Sequence, residues 1–144
     1  MSSKRIIALY GTTDVGKTTT LNILIDLFLK VCSKSSVEVV WDGCKDRYAT
    51  IFYEEKIICI CTAGDTPEIV EENTSYFSKN KFSIAICPTR CWGNTRDALD
   101  DYADSKKIEV ERIKKNDDLA SCGKYAAELF YRILTDKPIE NEEI

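Results

Sequence analysis

Gly11-Thr12-Thr13-Asp14-Val15-Gly16-Lys17-Thr18 places two glycines, a lysine and a hydroxyl at the spacing G-x-x-x-x-G-K-[ST]. That spacing has a definite chemistry. The glycines let the backbone curl until successive N–H groups point inward at the oxygens of a phosphate chain. Lys17 is placed to reach the terminal phosphates and Thr18 to offer its hydroxyl to Mg²⁺, and Thr19 is counted with this binding set. Such a loop works only between a strand that anchors it and a helix whose N-terminus faces the anion. Ile6-Ile7-Ala8-Leu9-Tyr10 reads as the strand. From about Lys17 to Cys32 the chain reads as the helix, with Leu21, Leu24, Ile25 and Phe28 on its buried side and Asn22, Asp26 and Lys30 on its polar stripe. The competing reading is a glycine-containing turn with a structural lysine.

With its strand and helix in place, the string resembles the phosphate loop of the P-loop NTPase superfamily. The resemblance implies that residues 11–19 bind a nucleoside triphosphate, ATP or GTP, with Mg²⁺ as the cofactor. It also implies a reducing, cytoplasmic setting. Within the superfamily two branches compete. In small-GTPase-like proteins a later strand ends in Asp-x-x-Gly, where the acid supports Mg²⁺ and the glycine senses the γ-phosphate. Here the matching letters are Cys61-Thr62-Ala63-Gly64, with Asp65 directly after. The glycine is retained and the acid is displaced. Two roles stay open for Asp65: supporting the metal with Thr18, or capping the next helix with Thr66. The strand order and hairpin resemble that branch, yet the guanine-reading Asn/Thr-Lys-x-Asp is missing from Pro88-Thr89-Arg90-Cys91-Trp92. ATP is therefore favoured over GTP.

The second branch is the small-molecule kinases. Val39-Val40-Trp41-Asp42-Gly43 is similar to the strand-end Asp-Gly of adenylylsulfate kinases, which would set Asp42 near an acceptor hydroxyl; the bland reading is a turn. Arg47, Arg90 and Arg96 are candidates for stabilising charge, or else surface ion pairs. Trp92 either stacks on a base or closes the edge of the core.

The elements that must position these groups alternate strand and helix. Val37–Trp41, Arg47–Tyr53 and Ile57–Cys61 read as strands, the last two joined as an antiparallel hairpin through Glu54-Glu55-Lys56. Thr66-Pro67-Glu68 opens a helix that ends near Asn80. Phe82–Cys87 is a strand that Pro88 stops, and Asn94 or Thr95 caps a helix through about Asp104. Ile108–Ile113 is an outer strand. Asp117 opens a last helix burying Leu119, Cys122, Ala126, Leu129, Phe130 and Ile133. The expected fold is a three-layer α/β/α P-loop domain over residues 1–135, with a mostly parallel sheet and one antiparallel hairpin; 136–144 is a frayed acidic tail. Ligands of such sheets lie beyond the C-terminal ends of the parallel strands. Gly11–Thr18, Thr62–Thr66, Thr89–Asn94 and the Asn116 region should converge there.

Composition narrows the field. The 144 residues carry a net charge of −4 and 44% hydrophobic content, which suits one domain and predicts no nucleic-acid partner. No apolar run reaches the roughly 18 residues that cross a bilayer. With no histidine, His-based catalysis is excluded. The seven cysteines read as small core residues; a four-thiolate site from Cys59, Cys61, Cys87 and Cys91 lacks the usual spacing. The expected function is slow Mg²⁺-dependent hydrolysis of ATP, with Lys17, Asp65 and Asp42 as catalytic candidates, Gly64, Arg90 and Trp92 as further nucleotide contacts, and Thr18 and Asp65 on the metal. A protein partner or a homo-oligomer is compatible with this reading. The alternatives are a kinase and a nucleotide-binding module without turnover.

Overall fold

The structure, a computed structural model, describes residues 4–12, 15–33, 36–42 and 46–139. Thr13, Asp14 and Gly43 of the sequence reading lie outside these residues, as does 140–144 of the tail. Among the described residues, six strands and four α-helices follow one another as β1 (Arg5–Tyr10), α1 (Lys17–Val31), β2 (Val37–Asp42), β3 (Asp46–Tyr53), β4 (Lys56–Cys61), α2 (Pro67–Lys79), β5 (Ile84–Thr89), α3 (Asn94–Lys106), β6 (Val110–Lys114) and α4 (Cys122–Leu134). They form one mixed α/β sheet in the order β2-β3-β4-β5-β1-β6. β1 pairs in parallel with β5 and β6, and β5 with β4; β3 runs antiparallel to both its neighbours.

Strand alternation divides the core between two faces. On one face Ile7, Leu9, Ile51, Ile58, Ile60, Ile84, Ile86 and Ile113 meet α1 and α4, where Phe28 packs edge-on against Phe130 at 4.8 Å. The other face carries smaller residues, Ala8, Ala85, Cys59, Cys61 and Cys87, beneath Val70 and Phe77 of α2 and Leu99 and Ala103 of α3. The cysteines thus belong to the face that α2 and α3 cover. Burial pushes the Cys59 thiol up to about 11 and the Cys87 thiol to about 12, and raises Cys61 well above its ordinary value. These are neutral packing groups at physiological pH.

Four expectations are corrected. β5 does not stop before Pro88; it continues to Thr89, with Pro88 in register with Leu9. Pairing with β4 runs only through Ile86, and the Pro88 carbonyl faces Gly64 beyond the end of β4, so the missing N–H falls where no ladder bond is due. β5 also lies between β1 and β4, so the small-GTPase likeness stops at the hairpin. Leu119 is 63% exposed, because a 3₁₀ turn over Leu119–Ser121, capped by Asp118, precedes α4. Residues 136–139 are not frayed: Arg5 ion-pairs Asp136 at 3.2 Å and donates to the Lys137 carbonyl, and the Ile139 N–H donates to Glu111. The helix start at Thr66 is as expected, its Oγ1 accepting from the Ile69 N–H at 3.2 Å.

Alkylation of the native protein at pH 8 followed by peptide mass spectrometry should label Cys91, which is half-exposed on a loop. Cys59, Cys61 and Cys87 should react only after denaturation.

Candidate functional site

The C-terminal ends of β1, β4 and β5 meet at the start of α1. Gly16 takes a left-handed conformation (φ 88°) directly before that helix, and a Cβ there would lie 2.5 Å from Cys122 Sγ. No other residue type fits both constraints. Lys17 is 8% exposed, and its ammonium donates to the carbonyls of Gly11 (2.8 Å) and Thr89 (2.9 Å). The Thr18 hydroxyl donates to the Thr62 carbonyl at 2.9 Å. Two consecutive side chains of the motif therefore grip the ends of three different strands.

Burial lowers the pKa of Lys17 below its ordinary value; the charge of Asp65 and the Cys91 sulfur partly offset this, and Arg90 adds to it. Asp65 is exposed and acts on Lys17 through its field, while Thr66 supplies the cap of α2. Val15 is buried, Thr12 and Thr19 are exposed, and Asp42 closes β2 across from Asp46.

Gly64 has a packing reason of its own. A Cβ would stand 2.1 Å from the Pro88 carbonyl oxygen, so the glycine lets the segment after β4 lie against β5. Trp92 is 80% exposed, which settles its two readings against the core edge. With Thr12, Arg90 and Cys91 it lines a shallow hollow of about 240 Å³ beside the loop. A larger hollow, about 730 Å³, runs along β6 among Lys4, Lys106, Glu109 and Arg112 at the opposite end of the parallel strands, where the motif residues do not reach.

Arg47 and Arg96 are structural. Arg47 is 5% exposed, binds the Asn22 side chain and carbonyl at 2.6 and 2.7 Å, ion-pairs Asp26 at 3.0 Å and stacks on Trp41. Arg96 donates to the Cys91 carbonyl at 2.8 Å and so shapes the Trp92 loop.

Sequence reasoning missed Lys115. It sits inside the run Lys114-Lys115-Asn116-Asp117-Asp118, which reads as a solvated charge cluster. In the fold it is 1% exposed, and its ammonium donates to the Asn116 carbonyl and side chain, the Asp118 carbonyl and Ser121 Oγ. Its backbone N–H donates to Tyr10 O at 2.8 Å, locking this turn beside the loop. No local pattern marked it: its place follows from the register of β6 against β1, in which Lys114 ends the strand next to Tyr10.

The donor set suits a phosphate chain and a hard cation. Two glycines, a buried ammonium and a helix N-terminus face one side. Hydroxyl and carbonyl oxygens, of the kind Mg²⁺ prefers, lie together at Thr18 and Thr62, while the Asp65 carboxylate acts on the same mouth through Lys17. Cys61, buried and protonated, does not belong to such a set.

No protein-family model matches the chain, and no curated protein does. Among solved structures, the chain titled "Crystal structure of APE1195" superposes with a TM-score of 0.47 at 13% identity, covering 98% of this chain and 83% of that one. A likeness that loose carries nothing about function. Among the described residues, no helix is long and apolar enough to cross a membrane.

Gly64→Ala should destabilise by about 1–3 kcal/mol, since backbone must shift to admit the methyl. Gly123→Ala, where nothing lies within 4 Å, should stabilise by about 0.5 kcal/mol. Urea denaturation of the two variants separates these outcomes.

Proposed function

We propose that this chain is a P-loop protein that binds a nucleoside triphosphate, ATP in preference to GTP, together with Mg²⁺ and hydrolyses it slowly. One observation carries the reading: a buried lysine ammonium stands at the junction of a glycine-bounded loop, a helix N-terminus and the end of β5, held by neutral carbonyls. A phosphate oxygen is a natural further partner for such a group, because it brings the opposite charge that the neutral carbonyls lack.

In this reading the 11–19 loop and the first turn of α1 hold the β- and γ-phosphates. Lys17 neutralises charge as it builds in the transition state, where fixed positive groups are worth most. Thr18 would offer its hydroxyl oxygen to the metal while its proton stays on the Thr62 carbonyl, and Mg²⁺ when bound would screen the phosphate charge. Asp65 holds Lys17 in its charged form. Trp92 offers an exposed face for the base, with Arg90 beside it. The hollow at Trp92 is open to solvent, which supports hydrolysis over transfer to a sequestered acceptor. Thr89–Trp92 offers no base-reading carboxylate, which supports ATP.

Thermal denaturation with ATP, GTP, CTP and UTP, each with Mg²⁺ or with a chelator, tests both base preference and metal dependence; ATP with Mg²⁺ should raise the melting temperature most. Lys17→Ala should weaken ATP binding by about 10- to 100-fold, the loss of one charged hydrogen bond worth roughly 1.5–3 kcal/mol. Unchanged affinity in that variant would remove the site assignment.

A further inference from the structure

We propose that Asp46, rather than Asp65, is the carboxylate on the metal side of this site, a positioning residue that acts on Thr18 and on the hydration shell of Mg²⁺ through Thr62. The inference rests on the nucleotide reading above and assigns the acid that Cys61 fails to supply.

β3 runs antiparallel to β4, with Tyr48 opposite Cys61, so the beginning of β3 lies beside the end of β4. Thr62, fully buried, joins them. Its Oγ1 donates to Asp46 Oδ1 at 3.2 Å and accepts the Arg47 N–H at 2.9 Å, while its own N–H donates to the Arg47 carbonyl at 3.1 Å. The same residue's carbonyl accepts the Thr18 hydroxyl. One buried residue therefore connects a carboxylate to the hydroxyl that the loop chemistry assigns to the metal.

The two acids near the mouth divide the work. Asp65 acts on Lys17, at the phosphate side. Asp46 reaches Thr18, at the metal side. The neighbouring cation does not neutralise Asp46, since Arg47 directs its guanidinium to Asn22 and Asp26. Mg²⁺ keeps several waters when protein-bound, and outer carboxylates orient them.

Asp46→Asn keeps an acceptor for Thr62 and removes only the charge. Calorimetric titration of a non-hydrolysable ATP analogue, with Mg²⁺ and with a chelator, should show unchanged metal-free affinity in this variant. The gain conferred by Mg²⁺ should fall by about 10-fold or more, and Mn²⁺ bound in its place should show the same weakening by electron paramagnetic resonance. Asp65→Asn should keep the gain. Retention of the full metal gain in Asp46→Asn, or its loss in Asp65→Asn alone, overturns the assignment. Equal loss with and without metal makes Asp46 merely structural and overturns it too. Failure of the wild-type protein to bind any nucleotide instead removes the parent reading, and this one with it.

Discussion

Two ammonium groups are buried on either side of one short loop, and among the described residues neither meets a carboxylate at ion-pair distance. A buried charge without hydrogen-bond partners would be prohibitive. Lys17 and Lys115 are therefore surrounded by oxygens: the Gly11 and Thr89 carbonyls for the first, the oxygens of Asn116, Asp118 and Ser121 for the second. Meeting this demand fixes the ends of β1 and β5 and the turn before α4. Cys122, at the start of α4, in turn presses on Gly16. The mouth is built around the solvation of these two cations.

The hydrophobic layers beneath serve that arrangement. Isoleucines dominate the layer under α1 and α4, and alanines and cysteines share the layer under α2 and α3 with the rings of Phe77 and Phe82. At the ends of β4 and β5, Gly64 lies against the Pro88 carbonyl.

Local chemistry was legible in the sequence, and non-local chemistry was not. The Thr66-Pro67 cap and the 3.6-residue pattern of α1 are properties of neighbouring residues, and each appears where expected. Pro88 misled because its tolerance depends on where a different strand stops pairing. Leu119 misled because the Asp118 cap gives a 3₁₀ turn before the α-helix begins. Lys115 was invisible for a related reason: its place follows from the backbone bond to Tyr10, which the position of β6 beside β1 creates. Asp46 stands at the start of a hairpin that the sequence did announce, yet nothing in the local pattern shows that the Thr62 hydroxyl turns to it.

Lys17 and Thr18 already hold three backbone carbonyls, those of Gly11, Thr89 and Thr62. The Gly11 and Thr89 carbonyls take two of the three ammonium protons, and a hydroxyl that donates keeps its lone pairs. A ligand at the mouth would therefore meet two side chains already aimed and anchored, with an N–H and an oxygen still to give, and its arrival would add partners without releasing the strand ends.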